Sequence, residues 1–334
     1  MLRTGVIGVG RMGQHHCRIY SNTRKTKLVG ICDINPKVGA EIARKYEVPC
    51  FESVDQLLNF VDVVTIATPT QLHYDLAMRC LDRGVHVLIE KPFTETVGQA
   101  EDLISKAEQT GLVVQVGYIE RFNPTYLELK KVIEDQELLA ISFRRLSPFQ
   151  NSNTDVDVVL DLMTHDLALV HDMFGGYPDK LSAHGLSVFT QTIDHAVAQL
   201  PFLPAPLLTL TASRVTENKV RSIEVITRNA FIEANLLDKN ISVHRHSSGE
   251  YLNHNTTGVK YRQESIIERI LVPNAEPLRM QIEHFIQCVE DHTTPAVSAQ
   301  AGYEILRISQ VIRDLIIEQF SEVQSPVLEV PVPV

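Results

Sequence analysis

The sequence predicts an α/β protein in two parts, a parallel sheet with helices followed by a domain built around an antiparallel sheet. In residues 1–120, short apolar runs alternate with helical patterns, which is typical of βαβ units. After Pro124 the pattern changes, and several extended segments follow one another without helices between them, which favours antiparallel pairing. We therefore predict one domain over residues 1–122 and a second over residues 123–334.

Apolar runs predict the strands of the first domain, and these runs cover residues 2–7, 27–32, 61–67, 85–89 and 112–116. Helical patterns lie between them, at residues 11–20, 36–46, 70–83 and 97–109. Gly84 and Gly111 stand where the last two of these helices should end, as expected for glycines that stop helices.

The second domain begins with two predicted helices, over residues 124–134 and 159–174. The extended segments that follow cover residues 181–189, 193–200, 207–215, 220–227, 230–236 and 240–245. The polar stretch 246–262 predicts a loop, and helical patterns return at about 276–291 and 298–319. The proline-rich segment from Ser325 predicts a short strand or a loose end.

Composition excludes several classes of partner. A formal net charge of −10 argues against nucleic acid or an anionic membrane as the main partner. No apolar run approaches the roughly 18 residues of a membrane span, and a strand that begins at Leu2 leaves no room for a signal peptide. The five cysteines show no C-x-x-C spacing, so we expect free thiols and a cytoplasmic protein.

The segment V-I-G-V-G-R-M-G-Q at residues 6–14 carries the first chemical signal. Gly8, Gly10 and Gly13 fit G-x-G-x-x-G between a predicted strand and a predicted helix, which is the context of a dinucleotide-binding turn. Gly8 allows the tight turn, Gly10 lets a pyrophosphate approach the backbone, and Gly13 lets the helix pack closely. Arg11 and Met12 complete the loop, and the helix N-terminus would bind the phosphates.

Asp33 ends the second apolar run, about twenty residues after the glycines, as this motif requires. Its carboxylate would accept hydrogen bonds from the adenosine ribose hydroxyls and repel a 2′-phosphate. The sequence therefore predicts NAD rather than NADP as the cofactor, although Arg11 is close enough in sequence to offset this preference.

The segment I-E-K-P-F at residues 89–93 lies at the carboxyl end of the fifth predicted strand. Ligands of open parallel sheets bind at that end, so Lys91 is aimed at the expected place of a nicotinamide ring. Pro92 keeps Lys91 out of helical geometry, and we count Glu90 and Lys91 among the cofactor contacts. The alternative is a surface lysine in a β–α turn.

The segment D-L-M-T-H-D at residues 161–166 places Asp161 and His165 on one face of a predicted helix. A carboxylate that orients an imidazole makes a proton-transfer pair near neutral pH. The alternative is an ordinary polar helix edge on which the two residues form a weak surface pair.

The segment G-Y-I-E-R-F-N-P at residues 117–124 stands at the predicted domain junction. Four residues would face an interdomain cleft, and they are Tyr118, Glu120, Arg121 and Asn123. Of these, Tyr118, Arg121 and Asn123 would bind substrate, with Arg121 making a forked contact to an anionic group. A salt bridge between Arg121 and an acid such as Glu120, bracing the hinge, is the alternative. The remaining histidines form no recognisable set of metal ligands, so no metal is predicted.

With these motifs, essentially the whole chain resembles the Gfo/Idh/MocA oxidoreductase family. The resemblance is carried by the glycine loop at residues 8–13, A-T-P-T-Q-L-H-Y at 67–74, G-V-H-V-L-I-E-K-P at 84–92 and the aspartate–histidine helix at 161–165. It implies a Rossmann domain followed by an α/β domain with a large open antiparallel sheet. In this family the outer face of that sheet commonly forms the oligomer interface, which implies a homodimer or homotetramer.

The resemblance also implies roles for single residues. Lys91, Asp161 and His165 match the catalytic lysine, aspartate and histidine of the family. Pro69 and Thr70 match a loop beside the adenosine half of the cofactor. Thr68 and His73 belong to the same segment and are counted with Pro69 among the cofactor contacts.

The expected activity is NAD-dependent oxidation of a secondary hydroxyl of a sugar. His165 would take the hydroxyl proton, Lys91 would bind the hydroxyl, and Asp161 would orient the pair. The segments at 117–124, 161–166 and 210–216 look like a bacterial subgroup that includes UDP-N-acetylglucosamine 3-dehydrogenases, which favours a nucleotide sugar such as a UDP-N-acetylhexosamine. However, T-D-V-D-V-V-L replaces the glycine-rich stretch that many members have before the aspartate–histidine motif.

Three alternatives stay open. The substrate could be a free sugar or polyol, or the protein could be an aldose–aldose oxidoreductase with a tightly bound cofactor. A non-catalytic regulator that binds NAD or a sugar is the third, although the presence of both Lys91 and His165 argues against it.

Overall fold

The computed structural model describes residues 1–149, 156–251 and 260–323. The chain forms two compact units, of which the first contains Met1–Asn123 and Ala275–Arg307, and the second Pro124–Asn274 and Ile308–Val334. No helix in the described stretches is both long and apolar enough to cross a membrane.

The first unit is built on a parallel sheet, which we call the first sheet. Within the described residues it has six strands in the order β3-β2-β1-β4-β5-β6. Their bounds are β1 Leu2–Ile7, β2 Thr26–Cys32, β3 Cys50–Phe51, β4 Val63–Ile66, β5 His86–Glu90 and β6 Val114–Gly117. The central strands are almost fully buried, as expected for a parallel sheet with helices on both faces.

Helices connect these strands, and they are α1 Arg11–Asn22, α2 Pro36–Tyr46, α3 Val54–Leu58, α4 His73–Asp82 and α5 Val97–Thr110. Local sequence sets their ends: Thr96 and Gln99 form a capping box before α5, and Gly111 ends it in the left-handed region. The strands and helices predicted for residues 1–120 are confirmed, with ends that differ by a few residues. Strand β3 and helix α3 were not predicted, because they are too short to show a periodic pattern.

The second unit contains a larger sheet, which we call the second sheet. In the part of the chain that the structure describes, it has eight strands in the order β14-β13-β12-β11-β7-β10-β9-β8. Their bounds are β7 Leu138–Leu146, β8 Ser182–Leu186, β9 His195–Pro201, β10 Leu207–Ser213, β11 Val220–Thr227, β12 Ala230–Asn235, β13 Asn240–Tyr251 and β14 Lys260–Ile270. All neighbours pair antiparallel except β7 and β10, which are parallel.

For this sheet, one strand was not predicted and one expectation was wrong. Strand β7 was not predicted, although it lies in the interior of the sheet between β10 and β11. The stretch 246–262 was predicted as a loop, whereas β13 and β14 pair through Tyr251 and Lys260. Backbone hydrogen bonds at the edge of a sheet need no apolar alternation, so the polar sequence concealed them. Residues 252–259 and the tail from Ser325 lie outside the described residues.

The helix predicted over 159–174 has two parts. It begins as a π-helical turn at Val159–Met163 and continues as α7, Thr164–Phe174, which ends at Gly175 in the left-handed region. Before it, α6 covers Pro124–Ile133. Asp157 caps the π turn, because its carboxylate accepts hydrogen bonds from the backbone N–H groups of Val159 and Leu160, both at 3.0 Å.

A buried ion pair attaches α7 to the second sheet. Arg145 of β7 donates from Nε to both carboxylate oxygens of Asp166, at 3.1 and 3.0 Å, and from Nη2 to Oδ1 at 2.6 Å. Both side chains are almost fully buried. Removing one partner of such a pair costs about 3–5 kcal/mol, because the other charge stays buried. The pair therefore fixes α7 against β7.

A second buried carboxylate braces the start of this helix. Asp194 accepts hydrogen bonds from three consecutive backbone N–H groups, those of residues 188–190, at 2.6–2.9 Å. Burial alone would raise the pKa of Asp194, but these bonds and that of the Thr190 hydroxyl outweigh it and hold the pKa below its usual range. Arg214 Nε lies 3.3 Å from Asp194 Oδ1. Arg214 Nη2 also donates a hydrogen bond to the carbonyl oxygen of Val156, just before the π turn.

The chain returns to the first unit after the second sheet. Helix α8, Pro277–Asp291, buries its apolar face in a cluster with residues of α1, β1 and β2. Helix α9, Ala299–Val323, follows and is divided between the units at Arg307. The structure thus differs from the predicted division, which placed all of 123–334 in the second domain. An amphipathic pattern shows that α8 has an apolar face but not which partner covers it.

Gly13 sets how closely α1 packs on β1. A Cβ atom at this position would lie 1.9 Å from the carbonyl oxygen of Gly8, a distance that no real Cβ adopts. By contrast, a Cβ at Gly98, in the first turn of α5, would meet no atom of the described residues within 4 Å.

We expect Gly13→Ala to destabilise the protein by about 1–3 kcal/mol, because α1 or the glycine loop must move to admit the methyl group. Gly98→Ala is the matched control, and it should leave stability unchanged or raise it by about 0.5–1 kcal/mol. Urea unfolding followed by circular dichroism measures both. Equal midpoints for the two variants would show that the close approach at Gly13 is unimportant.

Candidate functional site

The glycine loop is shaped to receive a phosphate group. Gly8 has a φ of +83°, and a Cβ there would lie 2.7 Å from the carbonyl oxygen of Ala67. At Gly10 a Cβ would meet no described atom within 4 Å, so the loop faces open space. Helix α1 begins at Arg11 without a side-chain cap or an acidic residue in its first turn. Its first N–H groups and its positive dipole end therefore fit the pyrophosphate of a dinucleotide.

Asp33 is held beside this loop by two backbone groups. The N–H of Val9 donates to Oδ2 at 2.7 Å, and the N–H of Asn35 donates to Oδ1 at 2.8 Å. The carboxylate is thus fixed at the end of β2, with lone pairs left for further donors. Ile34, the next residue, is 99% exposed and carries no charge.

Lys91 stands immediately after β5, at the same edge of the first sheet as the glycine loop. Its side chain is partly exposed, and its peptide bond to Pro92 is cis. Glu90, the last residue of β5, lies 2.8 Å from His16 Nε2 of α1. This contact of His16 was not predicted, because the spacing of residues in sequence does not reveal that α1 packs near the end of β5.

His73 joins two loops at this edge. Its Nδ1 lies 2.8 Å from the carbonyl oxygen of Pro92, and its Nε2 lies 3.0 Å from that of Thr68. Burial is the main reason that its pKa is lowered, and the carbonyl contacts act in the opposite direction. We therefore expect His73 to shape the loop rather than touch a ligand. Pro69 is exposed, and contacts of this loop with a cofactor stay a prediction.

Asp161 and His165 belong to the second unit. Asp161 lies on the π turn and His165 on the first turn of α7, and both are partly exposed. Thr164 and Asp166, on either side of His165, are buried. The ion pair between Asp166 and Arg145 fixes the turn of α7 that carries His165. The action of Asp161 and His165 as a proton-transfer pair stays a prediction.

The residues predicted at 117–124 are less accessible than expected. Tyr118 is fully buried, and burial raises the pKa of its phenol, so it has no exposed atom with which to bind substrate. Asn123 is nearly buried and donates to Glu120 Oε2 at 2.9 Å. Arg121 is only 9% exposed. The 3₁₀ turn Ile119–Phe122 packs against α8, which is the physical reason for this burial.

Comparison with known proteins agrees with this geometry. The family model described as "Oxidoreductase family, NAD-binding Rossmann fold" matches residues 2–118. UDP-N-acetylglucosamine 3-dehydrogenase of Acidithiobacillus ferrooxidans is 31% identical over 93% of this chain and 96% of its own length. A scyllo-inositol 2-dehydrogenase (NAD(+)) of Bacillus subtilis is 22% identical over 89% of both chains.

Solved structures show the same architecture. The structure of the Acidithiobacillus enzyme has a TM-score of 0.84 and 30% identity, and it covers 94% of this chain and 97% of that one. A myo-inositol 2-dehydrogenase from Lactobacillus plantarum has a TM-score of 0.77 at 17% identity, over 95% and 98% of the two chains, and shows the shared fold. The predicted fold class and enzyme class, an oxidoreductase acting on CH–OH groups, are confirmed. Because the identity extends over nearly the whole chain, the protein belongs to the Gfo/Idh/MocA family of oxidoreductases.

Proposed function

We propose that the protein is an NAD-dependent dehydrogenase that oxidises a secondary hydroxyl of a nucleotide sugar, such as a UDP-N-acetylhexosamine. The observation that carries the proposal is the position of Lys91 at the same sheet edge as a glycine loop open to a pyrophosphate. The second support is the similarity to a UDP-N-acetylglucosamine 3-dehydrogenase over 93% of the chain.

In the proposed mechanism each side chain has one task. The dinucleotide, when bound, supplies the acceptor for the hydride that leaves the carbinol carbon. The Lys91 ammonium donates a hydrogen bond to the substrate hydroxyl and stabilises negative charge as it develops on the oxygen. His165 takes the hydroxyl proton as the carbonyl forms, and Asp161 holds the imidazole in the orientation that accepts it.

We expect Lys91→Ala to lower kcat by at least about a hundredfold, while the Kd for the dinucleotide changes little. The control is Lys27→Ala, which removes an exposed lysine from β2, remote from the carboxyl ends of the strands. Absorbance at 340 nm measures turnover, and calorimetry measures the Kd. In the same assay, His165→Ala should lower kcat, because the proposed acceptor of the hydroxyl proton is lost. Near-native kcat in Lys91→Ala would exclude this mechanism.

The preference for NAD over NADP is part of the proposal, and its support is the backbone-held carboxylate of Asp33 followed by uncharged Ile34. Placing a 2′-phosphate beside a fixed carboxylate should cost at least about 1–3 kcal/mol, or one to two decades in Kd. Titration of both cofactors measures the ratio of the Kd for NADP to the Kd for NAD, and Asp33→Asn should lower this ratio. NADP binding as tight as that of NAD would refute the preference, and exposed Arg11 would then be the cation responsible.

For the substrate, we expect UDP-N-acetylglucosamine to give a kcat/KM at least about tenfold higher than free hexoses or inositol, because its diphosphate and base add binding energy. The similarity to scyllo-inositol 2-dehydrogenase favours a polyol as the second candidate. Assays with the three substrate classes under identical conditions decide between them. A higher kcat/KM for a free polyol would reject the nucleotide sugar and leave the dehydrogenase proposal in place. Mass spectrometry of released cofactor separates simple turnover from a tightly bound, non-exchanging cofactor.

We also propose that the protein forms a homodimer or homotetramer through the outer face of the second sheet. Support comes from three exposed apolar side chains on neighbouring strands, Ile226, Phe231 and Ile267. They lie in one row, in which Ile226 pairs with Phe231, and the partly exposed His244 pairs with both Phe231 and Ile267. Exposed apolar side chains grouped on a sheet face are typical of an interaction surface. Light scattering on the purified protein measures the number of subunits.

A cytoplasmic location is likewise a proposal. It is supported by the five cysteines, all of which lie in described residues and are free, as expected in a reducing compartment. Fractionation of cells that produce the protein tests it.

A further inference from the structure

A chain of hydrogen bonds runs from the interior of the first unit to the end of β5. The Tyr20 hydroxyl lies 2.8 Å from Thr65 Oγ1, and Thr65 Oγ1 lies 3.2 Å from His16 Nδ1. His16 Nε2 in turn lies 2.8 Å from Glu90 Oε1. Tyr20, Thr65 and His16 are fully buried, so these three side chains are shielded from bulk water.

The contact with Glu90 has a direction set by the chemistry of the two groups. A carboxylate only accepts, so His16 Nε2 donates its hydrogen to Glu90 Oε1. Burial raises the pKa of Tyr20, so its phenol stays protonated. Thr65 Oγ1 lies between this phenol and His16 Nδ1, so both ring nitrogens of His16 have a partner.

Glu90 is held from both sides. His16 of α1 contacts it on one side, and Gly117 of β6 lies on the other. A Cβ at Gly117 would stand 3.0 Å from Glu90 Cδ, so the absence of a side chain there makes room for the carboxylate. With 12% of its side chain exposed, Glu90 is a fixed group near the surface rather than a mobile surface charge.

The order of the first sheet places Glu90 at one end of the expected cofactor. Asp33 ends β2, on one side of β1 and its glycine loop, whereas Glu90 ends β5, on the other side. A dinucleotide that crosses the glycine loop with its adenosine ribose at Asp33 extends its nicotinamide toward the β4 and β5 side. The charge of Glu90 therefore belongs to the nicotinamide half of the site.

We propose that Glu90, fixed by His16, is a charge that makes the protein bind the oxidised, cationic nicotinamide more tightly than the reduced, neutral one. The oxidised ring carries a positive charge that the reduced ring lacks, so a fixed carboxylate distinguishes the two forms. In an oxidation this preference retains the reactive form of the cofactor and favours release of the spent form. The inference rests on the proposed function.

The test compares the Kd values of NAD⁺ and NADH, measured by calorimetry without any sugar substrate. In Glu90→Gln, which keeps the shape and removes the charge, we expect the ratio of the NADH Kd to the NAD⁺ Kd to fall about five- to tenfold. His16→Gln retains an N–H donor for Glu90 and should keep a ratio close to that of the wild type. His16→Leu removes the donor and should shift the ratio in the same direction as Glu90→Gln.

His15→Gln is the matched control, because His15 is the adjacent histidine of α1 and is exposed. It should leave both Kd values unchanged. Lys91 is retained in every variant, so its charge is common to all the comparisons.

The outcomes separate this inference from the proposed function. If Glu90→Gln weakens both cofactor forms equally, Glu90 is a neutral hydrogen-bond acceptor and the inference is wrong, while the dehydrogenase proposal survives. An unchanged ratio leads to the same conclusion. If the protein prefers NADP, the ratio is measured with NADP⁺ and NADPH, which differ by the same ring charge. Failure to bind any dinucleotide would overturn the proposed function and the inference together.

Discussion

The close contact between α1 and β1 at Gly13 is the constraint on which the functional edge of the first unit depends. With any side chain at that position, α1 or the glycine loop would have to move. The present distance between α1 and the sheet lets His16 reach Glu90 and lets Tyr20 reach Thr65. The same contact sets the first N–H groups of α1 beside the open space at Gly10. The absence of one methyl group thus positions two features, the N–H groups of α1 that would bind a phosphate and the Glu90 carboxylate next to Lys91.

The fold could be predicted from sequence where its signals are local. In the first 120 residues the strands and helices other than the short β3 and α3 have their own periodicity, and α5 has a stop signal at Gly111, so the pattern was sufficient for them. Strand β7 was missed because Arg144 and Arg145 interrupt its apolar alternation. The burial of Arg145 makes sense only with Asp166, a residue of a helix that comes later in the chain. From sequence alone, a charged residue whose partner is distant along the chain is expected to be exposed.

The same distinction applies to the candidate site. Gly8, Gly10, Gly13 and Asp33 could be identified because their geometry is imposed by a short turn and a fixed spacing. The low accessibility of Tyr118, Arg121 and Asn123 could not be predicted. The 3₁₀ turn that carries Arg121 packs against α8, which lies some 150 residues further along the chain. His16 was set aside for a related reason, since its contact with Glu90 arises from packing between elements.

The return of α8 to the first unit has a consequence for synthesis on the ribosome. Six residues of α8 complete an apolar cluster whose other buried members lie within the first 113 residues, and they are Leu278, Ile282, Phe285, Ile286, Cys288 and Val289. At translation rates of about 5–20 residues per second, the nascent first unit waits roughly 8 to 30 seconds for them while the second unit is made. During that interval the uncovered face of α1 is a binding surface for chaperones and for other nascent chains. A gene fragment that ends near residue 123 would keep that face exposed permanently, so the nucleotide-binding half of this protein is not separable at the boundary that its motifs suggest.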